Sequence, residues 1–109
     1  MLMFDKEVDV SVVLPAYNEA ERIGVFLNTL IDFVKESLVS YEIVVVADGC
    51  IDATREIVNK YSQVYPAVRL ITFPKRLGKG GAIKLGFHNC RGRVFLYMDA
   101  DGGYDPKEI

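Results

Sequence analysis

Short apolar runs alternate with segments of helical periodicity along this chain, and that alternation leaves few architectures open to it. Residues 8–14 (VDVSVVL) are β-branched and bounded by Pro15, which suits a strand. Residues 41–47 (YEIVVVA) form a continuous apolar run, as expected for a strand covered on both faces. Residues 67–73 (AVRLITF) and 93–98 (RVFLYM) supply a third and a fourth strand. Between the first two, residues 18–38 put Ile23, Phe26, Leu27, Leu30, Val34 and Leu38 on one helical face. Asn18 is the predicted cap of that helix, with Glu21 three residues later completing a capping-box pattern. Residues 51–65 carry Ile57, Val58, Tyr61 and Val64 at helical spacing. Residues 79–90 predict a third helix, weakened by glycines, with Ile83, Gly86, Phe87 and Cys90 on a stripe.

Strands alternating with helices imply parallel strands joined by right-handed crossovers, an α/β chain folded as a Rossmann-like three-layer α/β/α sandwich. Each polar stretch then falls at the carboxyl end of a strand: PAYNEAE, DGCIDAT, PKRLGKG and DADGGYD in chain order. In open sheets of this kind ligands bind where the strand order reverses. An order of 3-2-1-4 places that reversal between the first and fourth strands and brings residues 17–19 beside residues 99–101. Topology alone thus locates a site.

Composition narrows what the site can hold. The formal charge of -2 over 109 residues gives no basic field for a nucleic-acid backbone, so nucleic acid is not an expected partner. Cys50 and Cys90 lie in no metal-binding or redox motif and read as reduced thiols of a cytoplasmic protein. The N-terminus meets an acid too early for a secretory segment, and the apolar runs are far shorter than the roughly 20 residues of a membrane helix.

Asp99 and Asp101 close the fourth strand. Alternation in an extended chain points them the same way, so both can approach one hard cation such as Mg²⁺ or Mn²⁺, with phosphates completing its shell. Gly102 and Gly103 allow a close backbone turn. An isolated acid pair of this kind reads first as a solvated turn. In PKRLGKGGA, Lys75, Arg76 and Lys79 bring positive charge to a glycine-rich turn opening a helix, where free N–H groups favour anions. No Walker A loop is present, and no GxGxxG follows the first strand. Asp48, at a strand end before Gly49, is positioned to accept hydrogen bonds from a base or ribose. Asp52 and Thr54 read as helix-start residues. Tyr17 offers a ring for a base, or else sits half-buried at the sheet edge. His88, the only histidine, falls late on the third helix, away from the expected cleft. Together these residues make an inventory for a metal-bound nucleoside diphosphate compound.

With those residues in hand, the chain resembles the family 2 glycosyltransferases of the GT-A fold, and within them the polyprenyl (dolichyl) phosphate sugar synthases. The resemblance runs through VVLPAYNEAERI, VVVADGCIDAT, KRLGKGGAIKLGF and VFLYMDADGGYDP, in the family's order and spacing. The third and fourth stretches look more like the dolichyl-phosphate glucose type than the mannose type. The resemblance implies transfer of a sugar from a UDP- or GDP-linked donor to an acceptor such as a polyprenyl phosphate, with Mg²⁺ or Mn²⁺ bridging the diphosphate to the acid pair. It implies that Pro15, Tyr17, Glu19 and Asp48 line the nucleotide pocket, that Lys79 lies near it, and that Asp99 and Asp101 form the metal and sugar-nucleotide motif. It also implies a cytoplasmic location, including the cytoplasmic face of a membrane.

Departures from the family pattern are Ala47 where an acid is usual, Cys50 where a serine is usual, and Gly103 where many mannose-type members carry a glutamine. Asp105, Pro106 and Glu108 read as the first turn of a further helix. Residues 1–109 are therefore expected to be the nucleotide-sugar-binding, N-terminal half of a GT-A domain, with the acceptor site and any general base beyond residue 109. Two alternatives stay open: a non-catalytic nucleotide-binding or assembly module, associating with itself or a partner chain through an exposed sheet edge, and a sugar nucleotidyltransferase.

Overall fold

The computed structural model describes residues 8–99. Its elements in order are β1 (Val8–Ala16), α1 (Ile23–Val34), β2 (Tyr41–Asp48), α2 (Thr54–Val64), β3 (Val68–Phe73), α3 (Lys79–His88) and β4 (Gly92–Tyr97). The strands form one parallel sheet, as the alternation predicts, and its order, β3-β2-β1-β4, is the expected one. Because the order reverses after β3, the connection through α3 runs opposite to the first two. Crossovers of one hand then place α3 on the other face of the sheet. The core divides accordingly. Val12, Leu14, Ala16, Ile43 and Val45 face α1 and α2, which contribute Ile23, Phe26, Leu27, Leu30 and Val58. Val13, Val44 and Val46, the alternate positions, face Ala82 of α3.

The helices are shorter than their periodicity predicts, and the reasons are local. α1 begins at Ile23, preceded by Arg22 without a side-chain cap, so Asn18 is not its cap. Asn18 instead adopts a positive φ of 51° in the preceding loop. α1 also ends before Leu38, which is fully exposed, and Val64 at the end of α2 is exposed as well. α3 buries Ala82 and Gly86 rather than the whole predicted stripe. A Cβ added at Gly86 would lie 2.5 Å from Val13 Cγ1, so the missing side chain lets the helix sit close on the sheet.

Near the amino end of the sheet, Glu42 is fully buried. Its Oε2 accepts hydrogen bonds from Ser11 Oγ and the Arg91 amide, both at 2.6 Å. Its Oε1 accepts from Arg69 Nη1 at 2.6 Å, and Arg69 also donates to Asn89 O at the end of α3. Burial alone would raise the Glu42 pKa. The bonds from Ser11, Arg91 and Arg69, with the Arg69 charge, outweigh it and hold the carboxyl below its ordinary value. One residue thus joins β1, β2, β3 and the turn into β4. The neighbouring Cys90 thiol is pushed up by burial and by the Glu42 charge. Both cysteines are free thiols.

The folded-state pKa of Glu42 lies below its unfolded value, so as pH falls the unfolded chain takes up the proton first. The stabilisation is therefore complete above the ordinary glutamate value of 4.5 and is lost as pH drops through the lower folded value. Glu42→Gln should cost about 2 kcal/mol at neutral pH. It should also flatten the loss of stability below that value, as read from urea midpoints across a pH series.

Candidate functional site

At the carboxyl ends of the strands, Pro15, Ala16, Tyr17, Glu19, Asp48, Arg76, Lys79 and Asp99 line a cavity of about 240 Å³. It lies over the switch point between β1 and β4. Lys79, at the start of α3, places Nζ 2.8 and 2.9 Å from the two Asp99 oxygens, just beyond β4. The basic turn and the fourth-strand acid therefore share one rim.

Each wall is held by identifiable bonds. The loops after β1 and β2 are tied together from both sides. Asn18 Oδ1 accepts from the amides of Ile51 at 2.9 Å and Asp52 at 3.3 Å. Asp52 Oδ2 accepts from Ala20 N at 3.1 Å, and Thr54 Oγ1 accepts from Glu19 N at 2.9 Å. The buried Cys50 thiol donates to Ala16 O at 3.3 Å and accepts from Asn18 N at 3.4 Å. Asp52 does serve the start of α2, accepting the Thr54 amide at 3.0 Å, but its other oxygen and the Thr54 hydroxyl reach across to the β1 loop. Burial would raise the Asp52 pKa, and the hydroxyl and amide of Thr54 with the Ala20 amide lower it below the ordinary range. The result fixes Tyr17 and Glu19. Glu19 is ion-paired with Arg22.

The wall after β3 depends on Asp48 and Gly49. Asp48 is buried, and its two oxygens accept the amides of Leu77 at 2.6 Å and Gly78 at 3.0 Å. Its carboxylate therefore shapes the basic turn, a role the strand-end position alone does not reveal. Gly49 has φ +67°, and a Cβ there would stand 2.7 Å from Arg76 N. That close approach delivers Arg76 over Tyr17, with Cζ 4.0 Å from the ring centroid. Sequence reasoning assigned no individual role to Arg76 and missed Ala16, Asn18 and Cys50. Only the basic character of the turn signalled Arg76, and nothing in the local pattern signalled the clasp.

Pro15, Tyr17, Glu19, Asp48, Lys79 and Asp99 are thus brought together at one cavity. Asp101, Gly102, Gly103, Asp105, Pro106 and Glu108 lie outside the described residues. Among the described residues no group of three or more acids, histidines and cysteines could hold a metal by itself. His88 lines a separate hollow with Phe87 and Phe95.

The family model described as glycosyl transferase family 2 matches residues 11–109. This chain belongs to that family. It is 42% identical over 104 residues to the dolichyl-phosphate beta-glucosyltransferase of Saccharomyces cerevisiae, a match covering 90% of this chain and 31% of that one. Among solved structures it resembles a Pyrobaculum calidifontis mannosyltransferase in complex with GDP-Man and Mn²⁺, with a TM-score of 0.73 and 26% identity over 90% of this chain and 29% of that one. It also resembles S. aureus TarS in complex with UDP, with a TM-score of 0.72 and 30% identity over 85% of this chain and 27% of that one. The fold of this family 2 chain is accordingly that of the GT-A glycosyltransferases. The chain spans about three tenths of the curated relatives it matches.

Gly49→Ala should destabilise the fold by about 2 kcal/mol, since it adds a positive-φ penalty to a backbone overlap. Gly80→Ala is the control. Nothing lies within 4 Å of a Cβ there, so it should be neutral or stabilising by up to about 1 kcal/mol through helix propensity. Denaturant midpoints separate the two.

Proposed function

We propose that residues 1–109 form the donor-binding portion of an enzyme that transfers a sugar from a metal-bound nucleotide sugar to a polyprenyl-phosphate acceptor. The single observation that carries this reading is the meeting of the α3 start and the β4 end, Lys79 on Asp99, over a cavity that also holds Tyr17 and Asp48. In this arrangement Tyr17 offers its half-exposed ring to the base. The Asp48 oxygens keep lone pairs for a base or ribose beyond the two amides they already accept. Lys79 and the N-terminal end of α3 face the diphosphate. The glucosyl donor and the dolichyl-type acceptor are favoured by the names of the curated relatives.

The residues fit a hard divalent ion. Asp99 presents a carboxylate on the cavity rim, and Mg²⁺ is commonly held by one or two carboxylates with phosphates supplying further oxygens. Asp99 and Asp101 would hold it. When bound, the ion would offset the charge of the nucleoside diphosphate leaving group. In the transfer itself, an acceptor oxygen forms the new bond to the anomeric carbon as the bond to the diphosphate oxygen breaks. A general base for that oxygen is expected beyond residue 109. Work on a lipid phosphate would set the reaction at a membrane surface, and the free thiols favour its cytoplasmic face. Among the described residues no helix is long and apolar enough to cross one.

A second reading, an assembly module, is favoured by one feature. β4 is an edge strand with Val94, Phe95 and Tyr97 exposed, and such edges invite pairing. Size-exclusion chromatography distinguishes them: a monomer that binds donor supports transfer, and an obligate oligomer without ligand response supports assembly.

Calorimetry on the full chain with UDP-glucose and GDP-mannose should show binding of one donor in Mn²⁺. Chelation should weaken it by at least about tenfold, or about 1.4 kcal/mol. Asp99→Ala and Asp101→Ala should each bring Mn²⁺-supported binding down to the chelated level. Equal binding with and without chelator would refute the metal role.

A further inference from the structure

The charges around the cavity do not balance in the way the acid pair alone suggests. Of its three described carboxylates, Glu19 is paired with Arg22, Asp99 is paired with Lys79, and Asp48 is occupied by two backbone amides. Of its two described cations, Lys79 already faces Asp99. Arg76 lines the same cavity and makes no ion pair among the described residues. Its guanidinium stacks on the face of Tyr17, 4.0 Å from guanidinium carbon to ring centroid.

That contact has a chemical consequence. Stacking uses the flat face of a guanidinium, while its five N–H donors lie in the plane and remain available at the edge. A fork of this kind matches two phosphate oxygens in parallel, with charge assistance. The fork is also held ready. Asp48 fixes the two amides after Arg76, and Gly49 packs against the Arg76 backbone so closely that no Cβ would fit. Little ordering of the turn is left to oppose binding.

We infer that Arg76 is a donor-binding residue that anchors the nucleotide's phosphates without help from a divalent cation, the Tyr17 ring serving as its platform. The inference rests on the donor-binding reading above and deepens it: the diphosphate has two points of attachment, a metal held by Asp99 and Asp101 and the Arg76 guanidinium. Binding in chelator is then weaker but not absent, and it scales with phosphate charge rather than with the base.

The test is calorimetry on the full chain in EDTA with UDP, UMP and uridine, repeated with UDP in Mn²⁺. Wild type should bind UDP at least about tenfold more tightly than uridine in EDTA, with UMP between them and the preference shrinking as salt rises. Arg76→Met keeps the apolar stem and removes the charge, and it should collapse the UDP-to-uridine preference in EDTA. Arg76→Lys keeps the charge but not the fork, and should restore only part. Since Arg76 is exposed, the melting temperatures of both variants should match wild type. Two outcomes would overturn the inference alone: UDP bound in Mn²⁺ with no preference over uridine in EDTA, or a preference that survives Arg76→Met. Failure of wild type to bind either UDP or, in a parallel titration, GDP in Mn²⁺ would overturn the donor-binding reading itself, and this inference with it.

Discussion

The site depends first on a buried carboxylate gripping a stretch of backbone. Asp48 ends β2 under the cavity and takes the amides of Leu77 and Gly78, so the turn after β3 is fixed from below. Without that grip the glycine-rich run would have many conformations to choose from. An anion near a helix N-terminus is also favourably placed in the helix field. The grip therefore orders the turn and suits the helix that follows it.

The other end of α3 is held by the same strand. Glu42, Val44, Val46 and Asp48 alternate along one face of β2, so its two buried acids bracket the helix. At the far end the helix field disfavours an anion. There Arg69 intervenes, bonding both Glu42 and the carbonyl of Asn89. Close seating at Gly86 against Val13 completes the attachment. α3 is a strut pinned at both ends, and Lys79 and Arg76 are carried at its upper end.

The sequence makes the sheet legible because burial on both faces writes itself as uninterrupted apolar runs. β2 is the clearest case, buried from Glu42 to Asp48. The parallel sheet followed from alternation, and an order of 3-2-1-4 put the loop after β1 beside the end of β4. What stayed hidden was the use of polar side chains across loops. Asn18 looks like a helix cap by local pattern, but its partners, Ile51 and Asp52, are more than thirty residues away. Glu42 reads as the polar start of a strand, and only packing shows it enclosed by Ser11, Arg69 and Arg91. Asp48 was recognisable as a site residue by its position, while its bonds to the turn were not. Local rules see neighbours in sequence, and these contacts are between loops joined only by the sheet.

The ammonium of Lys79 on Asp99 has a consequence for sequence of events. A divalent ion alone gains little at a carboxylate that is already neutralised, whereas one carried in on a diphosphate brings most of its own oxygen ligands. On the proposed donor-binding reading, an ion would therefore be held more firmly with the nucleotide in place than alone, with Lys79 able to turn from the protein acid to a phosphate. The charge arithmetic of the rim would then let the nucleotide come first.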